Sequence, residues 1–199
     1  MREPRGPLNA ELVLAAVELM GRAGRDGTVR VQGQSMLPTL RPGQLLAVEF
    51  APRALARGDL LLFRQGGLLL VHRSLGRARP SAGRILLRTR GDGAPTLDPP
   101  VDPAHVVGRV IAVAQGPCWR SFRGPAGRTY GWCVAWHALF WAAVGLLLQH
   151  IEAGARRANL RLDLRWRASR IDRLLLRAVH ALLFDLAHPR GPKPEVVGG

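Results

Sequence analysis

The run Val31-Gln-Gly-Gln-Ser-Met-Leu-Pro-Thr-Leu-Arg-Pro-Gly43 sets a serine just past an apolar, strand-like stretch and between Gly33 and Pro38. A glycine lets the backbone approach its neighbours closely, and a proline stiffens the residues after it. This arrangement can expose the Ser35 hydroxyl and free its backbone N–H. A serine hydroxyl is a poor nucleophile until a base takes its proton. The only lysine is Lys193, in a Pro/Gly-rich tail, which excludes a Ser–Lys dyad within a folded domain. Arginine does not give up its proton in proteins. Histidine remains. His72 ends the run Leu68-Leu-Leu-Val-His72, His105 opens another run, and His137, His150, His180 and His188 fall in helical segments or the tail. His72 is the one embedded among strands and followed by polar residues. A histidine base is normally held in one tautomer by a carboxylate. Asp92 and Asp98, in Thr89-Arg-Gly-Asp-Gly-Ala-Pro-Thr-Leu-Asp98, are the two candidates.

The elements that must hold these residues are short strands. Apolar runs at Thr28–Gln32, Leu45–Phe50, Asp59–Phe63, Leu68–His72, Ile85–Thr89 and Val106–Val113 alternate with Gly and Pro breaks, the signature of a mainly β domain over residues 26–116. Residues 1–25 read as an N-terminal amphipathic helix capped at Asn9, with Val13, Ala16, Val17 and Met20 at helical spacing. Glu11 and Glu18 interrupt it, and no run has the length of an export signal.

Residues 117–188 read as helical. Residues 131–148 carry no formal charge over 18 positions, the lower limit for crossing a membrane. Residues 169–187 form a basic amphipathic helix, with Ile171, Leu174, Leu175, Ala178, Leu182, Leu183 and Leu186 on one stripe beside Arg170, Arg173 and Arg177. Residues 189–199 read as a disordered tail. Residues 131–148 are expected to span a membrane, with a buried or partner-docked helix as the alternative; residues 169–187 either lie on an anionic membrane surface or pack on the preceding helix.

The net charge of +15 on 199 residues points toward nucleic acid or an anionic membrane. Of 29 basic residues 28 are Arg, and net charge is spread as +7 over residues 1–116 and +8 over 117–199. No compact basic cluster carries interleaved aromatics, so nucleic acid is not the expected partner. Two cysteines exclude a disulfide scaffold, and no metal or other cofactor is expected. Cys133 and His137 lie four apart on a helix, a spacing metals use, but packing or lipid contact accounts for them better.

Five blocks in order resemble the type I signal peptidase and LexA-type serine peptidase superfamily: Gly33-x-Ser-Met-x-Pro-Thr-Leu40, Arg57-Gly-Asp-Leu-Leu-Leu-Phe-Arg64, Val71-His-Arg73, Thr89-Arg-Gly-Asp…Asp98 and Val106-Val-Gly-Arg-Val110. A histidine in the third block, where bacterial members carry lysine, is similar to the endoplasmic-reticulum and archaeal branch. The resemblance implies a coiled β peptidase fold, a peptide substrate laid as an added strand, and small side chains before the cleaved bond. It implies Ser35 as nucleophile, His72 as general base and Asp98 as the orienting acid, with Asp92 a supporting or alternative acid. Gly33, Gln34, Met36 and Pro38 would support the oxyanion hole and its loop, with the Ser35 N–H as donor.

The chain departs from the family at Gly43-Gln44, where Gly-Asp is usual, and at Gly33, where many members have a hydroxyl. The hydrophobic segment comes after the domain instead of preceding it. Arg156, Arg157, Arg161, Arg165 and Arg167 after that segment outnumber Arg120, Arg123 and Arg128 before it, which leans toward a cytoplasmic C-terminus. The favoured reading is a membrane-associated serine endopeptidase of the signal-peptidase type, acting on a peptide or preprotein. The alternatives are a cytoplasmic maturation peptidase for a dedicated precursor and an inactive peptide-binding scaffold. A LexA-type repressor is disfavoured, with no room for a helix-turn-helix before residue 28 and no catalytic lysine. Oligomeric state is not legible.

Overall fold

Eight antiparallel strands and two long helices make up the computed structural model, which describes residues 15, 19–20, 27–78, 84–157, 163–188 and 190–192. The strands are β1 (Gly27–Arg30), β2 (Leu45–Phe50), β3 (Leu60–Gln65), β4 (Leu68–Ala78), β5 (Leu86–Arg90), β6 (Val106–Gln115), β7 (Cys118–Ser121) and β8 (Arg190–Gly191). Their order is β1-β2-β6-β3-β4-β5, with β7 pairing both β6 and β8. The six strands expected from apolar runs are all present, five within two residues of their expected bounds; the fourth does not end at His72 but runs on to Ala78, where it pairs with β5. The β3–β4 connection is a two-residue turn, and Gly66 and Gly67 adopt φ +57° and +75°, which the tight hairpin demands and other residues resist.

Two strands fall where strands were not expected. β7 lies beyond residue 116, in the stretch read as helical, and β8 lies in the stretch read as a disordered tail. Both are short, and their pairing comes from tertiary partners: Trp119 faces Gly191 and Arg120 faces Arg190. The rest of the tail lies outside the described residues, as does nearly all of the expected N-terminal helix, of which Ala15, Leu19 and Met20 are described and helical.

Alternation along β3 divides the core. Leu60 and Leu62 join Met36, Leu40, Leu46, Val48 and Val110 in the main cluster under the helices, while Leu61 and Phe63 pack with Leu87 and Val101 on the other face. Helix α1 (Pro125–Arg157) contains the uncharged segment and extends it at both ends; it is long and apolar enough to cross a membrane. Pro125 suits the first helical position, where a missing N–H costs nothing. Near its start α1 approaches the turn before β3 backbone to backbone: a side chain on Gly58 would lie 2.5 Å from the Gly131 carbonyl carbon.

Helix α2 (Leu164–Ala187) returns antiparallel to α1. Arg165 Nε donates to Glu152 at 2.6 Å near the far end, and Tyr130 OH meets His180 Nδ1 at 2.9 Å near the domain. Asp172 on α2 pairs with Arg90 of β5 at 2.8 Å, both buried. Tyr130, Val134, Leu176 and Phe184 complete the main core.

His180 and His188 sit in an aromatic cluster with Tyr130, Phe184 and Phe122. His188 Nδ1 lies 2.9 Å from the Phe184 carbonyl, which can only accept, so that nitrogen carries the proton. Burial first, and then the charges of Arg41 and Arg73 for His180 or Arg73 and Arg120 for His188, hold both rings down to about 4 from 6.5. The unfolded chain therefore takes up protons that the folded one refuses. This contribution is complete above about pH 6.5 and is lost as pH falls toward 4. Urea unfolding is expected to show stability lower at pH 5 than at pH 7.5, by up to about 4 kcal/mol for the two rings together. His180→Gln/His188→Gln should flatten that difference; an unchanged slope in the double variant would show that these rings do not carry it.

Candidate active site

Ser35 sits in the turn after β1, exposed to solvent. His72 lies in the middle of β4, its ring nearly sealed. Asp98 is in the loop between β5 and β6. The three are joined: His72 Nε2 is 2.9 Å from Ser35 Oγ, and His72 Nδ1 is 2.7 Å from Asp98 Oδ2. The carboxylate accepts, which puts the imidazole proton on Nδ1 and leaves the Nε2 lone pair toward the serine hydroxyl. Thr89 Oγ1 donates to the same Asp98 oxygen at 2.7 Å, and the Asp98 backbone N–H donates to the Thr89 carbonyl at 3.0 Å. Phe63 meets the His72 ring edge-on at 6.0 Å between centroids.

Of the two aspartates left open by sequence, Asp98 reaches His72 and Asp92 does not. Asp92 is buried and fully occupied elsewhere. It takes a two-pronged guanidinium from Arg73, Nε to Oδ1 at 2.7 Å and Nη2 to Oδ2 at 2.6 Å, and a hydroxyl from Thr39 at 2.6 Å. Arg73 Nη1 donates its remaining prong to the Gly58 carbonyl at 2.8 Å. The pair Arg73–Asp92 thus ties β4 to the loop after β5 and, through Thr39, to the loop carrying Ser35. The Asp92 charge and its hydrogen bonds hold Arg73 above the ordinary guanidinium range despite its burial.

Glycine spacing brings the two loops together. A side chain on Gly91 would lie 2.6 Å from the Ser35 carbonyl oxygen and 3.1 Å from His72 Nε2. Gly93 donates its N–H to the Ser35 carbonyl at 2.8 Å, and a side chain there would strike the Leu37 carbonyl. Gly33 does not serve close approach within the chain: nothing lies within 4 Å of where its side chain would begin, and the space over it is open. Gly33 and Gln34 are exposed, and the Gln34 carbonyl accepts from Leu37 N–H at 3.1 Å. Met36 is buried in the main core, an anchor for the loop with Leu40. Pro38 is joined to Leu37 by a cis peptide bond. Among the described residues nothing accepts the Ser35 backbone N–H. Gln44 Oε1 accepts from the Arg41 N–H at 2.7 Å and closes that turn.

Sequence reasoning missed Thr89, Thr39, Arg73 and Gly91 as parts of this arrangement. Each lies inside or next to a block already singled out, so the signal was adjacency to His72, Ser35 or Asp92; which strand faced which was the missing information. The other histidines stand apart. His105 is exposed, His150 bonds its own helix at the Leu146 carbonyl, and His137 accepts from Trp141 Nε1 at 3.0 Å. Cys133 is exposed, and among the described residues no cluster of three or more His, Cys, Asp or Glu side chains is arranged to hold a metal.

A family model described as Peptidase S24-like matches residues 7–111, just over half of the chain. No curated protein and no solved structure gives a significant match.

Two substitutions separate support from chemistry. Asp92→Ala strands the Arg73 guanidinium in the interior and is expected to cost about 3–5 kcal/mol in denaturant unfolding. Gly91→Ala is expected to cost less stability and to push Ser35 Oγ beyond about 3.5 Å from His72 Nε2 in a crystal structure. An unchanged Ser35–His72 distance in that variant would remove Gly91 from the account.

Proposed function

The chain belongs to the Peptidase S24-like family, and from that premise we propose that it is a serine endopeptidase of the signal-peptidase type, with histidine in place of lysine as its base. The reading rests on one observation, the unbroken run of hydrogen bonds from Ser35 Oγ through His72 to Asp98.

In this mechanism a peptide enters in extended form along the exposed segment Gln32-Gly33-Gln34, where the open space over Gly33 admits another backbone. The scissile carbonyl settles over Ser35. His72 Nε2 takes the hydroxyl proton as Oγ attacks. The imidazolium that forms is stabilised by Asp98, which keeps its own charge and accepts from both Nδ1–H and Thr89. The tetrahedral oxyanion takes the Ser35 N–H. His72 then returns its proton to the leaving amine. Water repeats the sequence on the acyl-enzyme, with His72 again as base. The resemblance to signal peptidases implies small residues before the cut and a precursor or leader peptide as substrate.

Digestion of a peptide library by the purified full chain, read by mass spectrometry, tests the reading. Wild type is expected to cut, with small residues before the bond. Ser35→Ala should abolish cleavage, and Asp98→Asn should lower kcat by about 10³–10⁴-fold while leaving the unfolding midpoint nearly unchanged. Equal peptide retention by wild type and Ser35→Ala with no cleavage by either would instead make this a peptide-binding scaffold.

A further inference from the structure

The surface of the helical hairpin turned away from the sheet is apolar on both helices. On α1, Trp132, Trp136, Phe140, Leu147 and Ile151 are exposed at helical spacing, opposite the face on which Val134, Ala135 and Ala138 are buried. On α2, Ile171, Leu175, Leu182 and Leu186 are exposed, the last two by 73% and 79%. A groove of about 500 Å³ between the helices, lined by Cys133, Val179, Leu183 and Leu186, makes the two faces continuous. Soluble surfaces rarely leave so extended an apolar patch uncovered.

The charges around this face are cationic. Arg170, Arg173 and Arg177 flank the apolar stripe of α2. At the N-terminal end of α1, a second cavity of about 680 Å³ is lined by Arg57, Arg109, Arg123, Arg128 and Trp132. Arg73 lines it as well, its charge met by Asp92; of the other four arginines, Arg109 lies against Glu49 and Asp59 and Arg123 against Glu49, so guanidinium groups outnumber carboxylates. Arg57 also stacks over Trp136 at 4.4 Å, so the basic cavity borders the tryptophan ridge directly. Two copies of the chain meeting through this face would oppose like charges. An anionic surface complements them.

Crossing the bilayer is opposed by the way α2 lies on α1. Glu152 pairs with Arg165 and Tyr130 meets His180, so α2 runs beside α1 along most of its length. A membrane-spanning α1 would draw Arg165, Arg167, Arg170, Arg173 and Arg177 into hydrocarbon. Its first turns are also packed on the sheet through Gly131, Val134 and Ala135. An amphipathic hairpin with tryptophans on one side and arginines along the rim fits the headgroup boundary instead.

We infer that the α1–α2 hairpin seats the protein on the surface of an anionic phospholipid bilayer, its apolar face at the acyl boundary and the arginines of the α1 cavity on lipid phosphates. The seat is separate from the Ser35 site, which uses the other side of β4. Co-sedimentation of the full chain with phosphatidylcholine vesicles, with and without 30% phosphatidylglycerol, tests it without an activity assay. Binding is expected only with the anionic lipid, reversed by 0.5 M salt, and extractable at alkaline pH. Trp132→Ser/Trp136→Ser should weaken it at least tenfold, and Arg57→Gln/Arg128→Gln by about fivefold per arginine, with circular dichroism unchanged. Inorganic phosphate at equal charge should not displace the protein; if it does, the cavity is a free-anion site. Retention after alkaline extraction would mean that α1 spans the bilayer. Absence of binding, with or without a dimer in solution, overturns the proposal.

Discussion

The buried pair between Arg73 and Asp92 is the constraint on which the candidate site depends. A guanidinium and a carboxylate removed from water are tolerable only when nearly every donor and acceptor finds a partner. Here Arg73 places two prongs on Asp92 and the third on the Gly58 carbonyl, while Asp92 takes Thr39 as well. Three separate segments, the turn before β3, the loop carrying Ser35 and the loop after β5, converge on this one pair. Because Asp92 is fully occupied there, the loop beyond it closes at a fixed place, and Asp98 is delivered to His72 six residues later. Asp92 fixes the position of the loop, and Asp98 touches His72.

The sheet sorts the charges by face. His72 and Arg73 are neighbours on β4 and point to opposite sides, as do Thr89 and Arg90 on β5. Arg73 and Arg90 are directly paired across the strands, both buried, on the side facing the helices. Like charges so placed repel unless each is neutralised. Asp92 neutralises one. The other needs Asp172, which comes from α2, and Arg90 in turn holds the Ala94 carbonyl within the loop between Asp92 and Asp98. The helical hairpin is thereby coupled to the site by charge as well as by packing, since Met36 and Leu40 beside Ser35 share a core with Leu176 and Phe184.

Much of this was legible in the sequence where the signal is local. Alternating apolar residues between Gly and Pro located six strands, because period-two burial and turn chemistry are written within a few residues. The loss of lysine left His72 by elimination. What was not legible is what depends on distant partners. By residue type alone Asp92 and Asp98 look alike; the resemblance favoured Asp98, and the buried Arg73, on another strand, holds Asp92 away from His72. β7 exists because it pairs with β6 and β8, and β8 because it pairs with β7, not because Cys118–Ser121 or Arg190–Gly191 favour extension. Gly33 looked like a close-approach glycine and is open, while Gly91, in a block noted for its aspartates, is the one against Ser35 and His72. The uncharged stretch 131–148 showed a helix but not which of its faces is covered.

A histidine base also asks more of its surroundings than a lysine would. A lysine amine needs only burial to lose its proton and has no second atom to be oriented. An imidazole has two nitrogens, and the wrong tautomer presents a donor to the serine where an acceptor is required. On the proposed chemistry the site must therefore hold a carboxylate against Nδ1 from a loop that has no strand to fix it. Thr89 grips Asp98 from one side, and the backbone pairing of residues 89 and 98 closes the loop at its end. Arg73 and Asp92 close it at its start. The ion pair, the two loop glycines and the threonine form one device, and what they share is the orientation of a single ring.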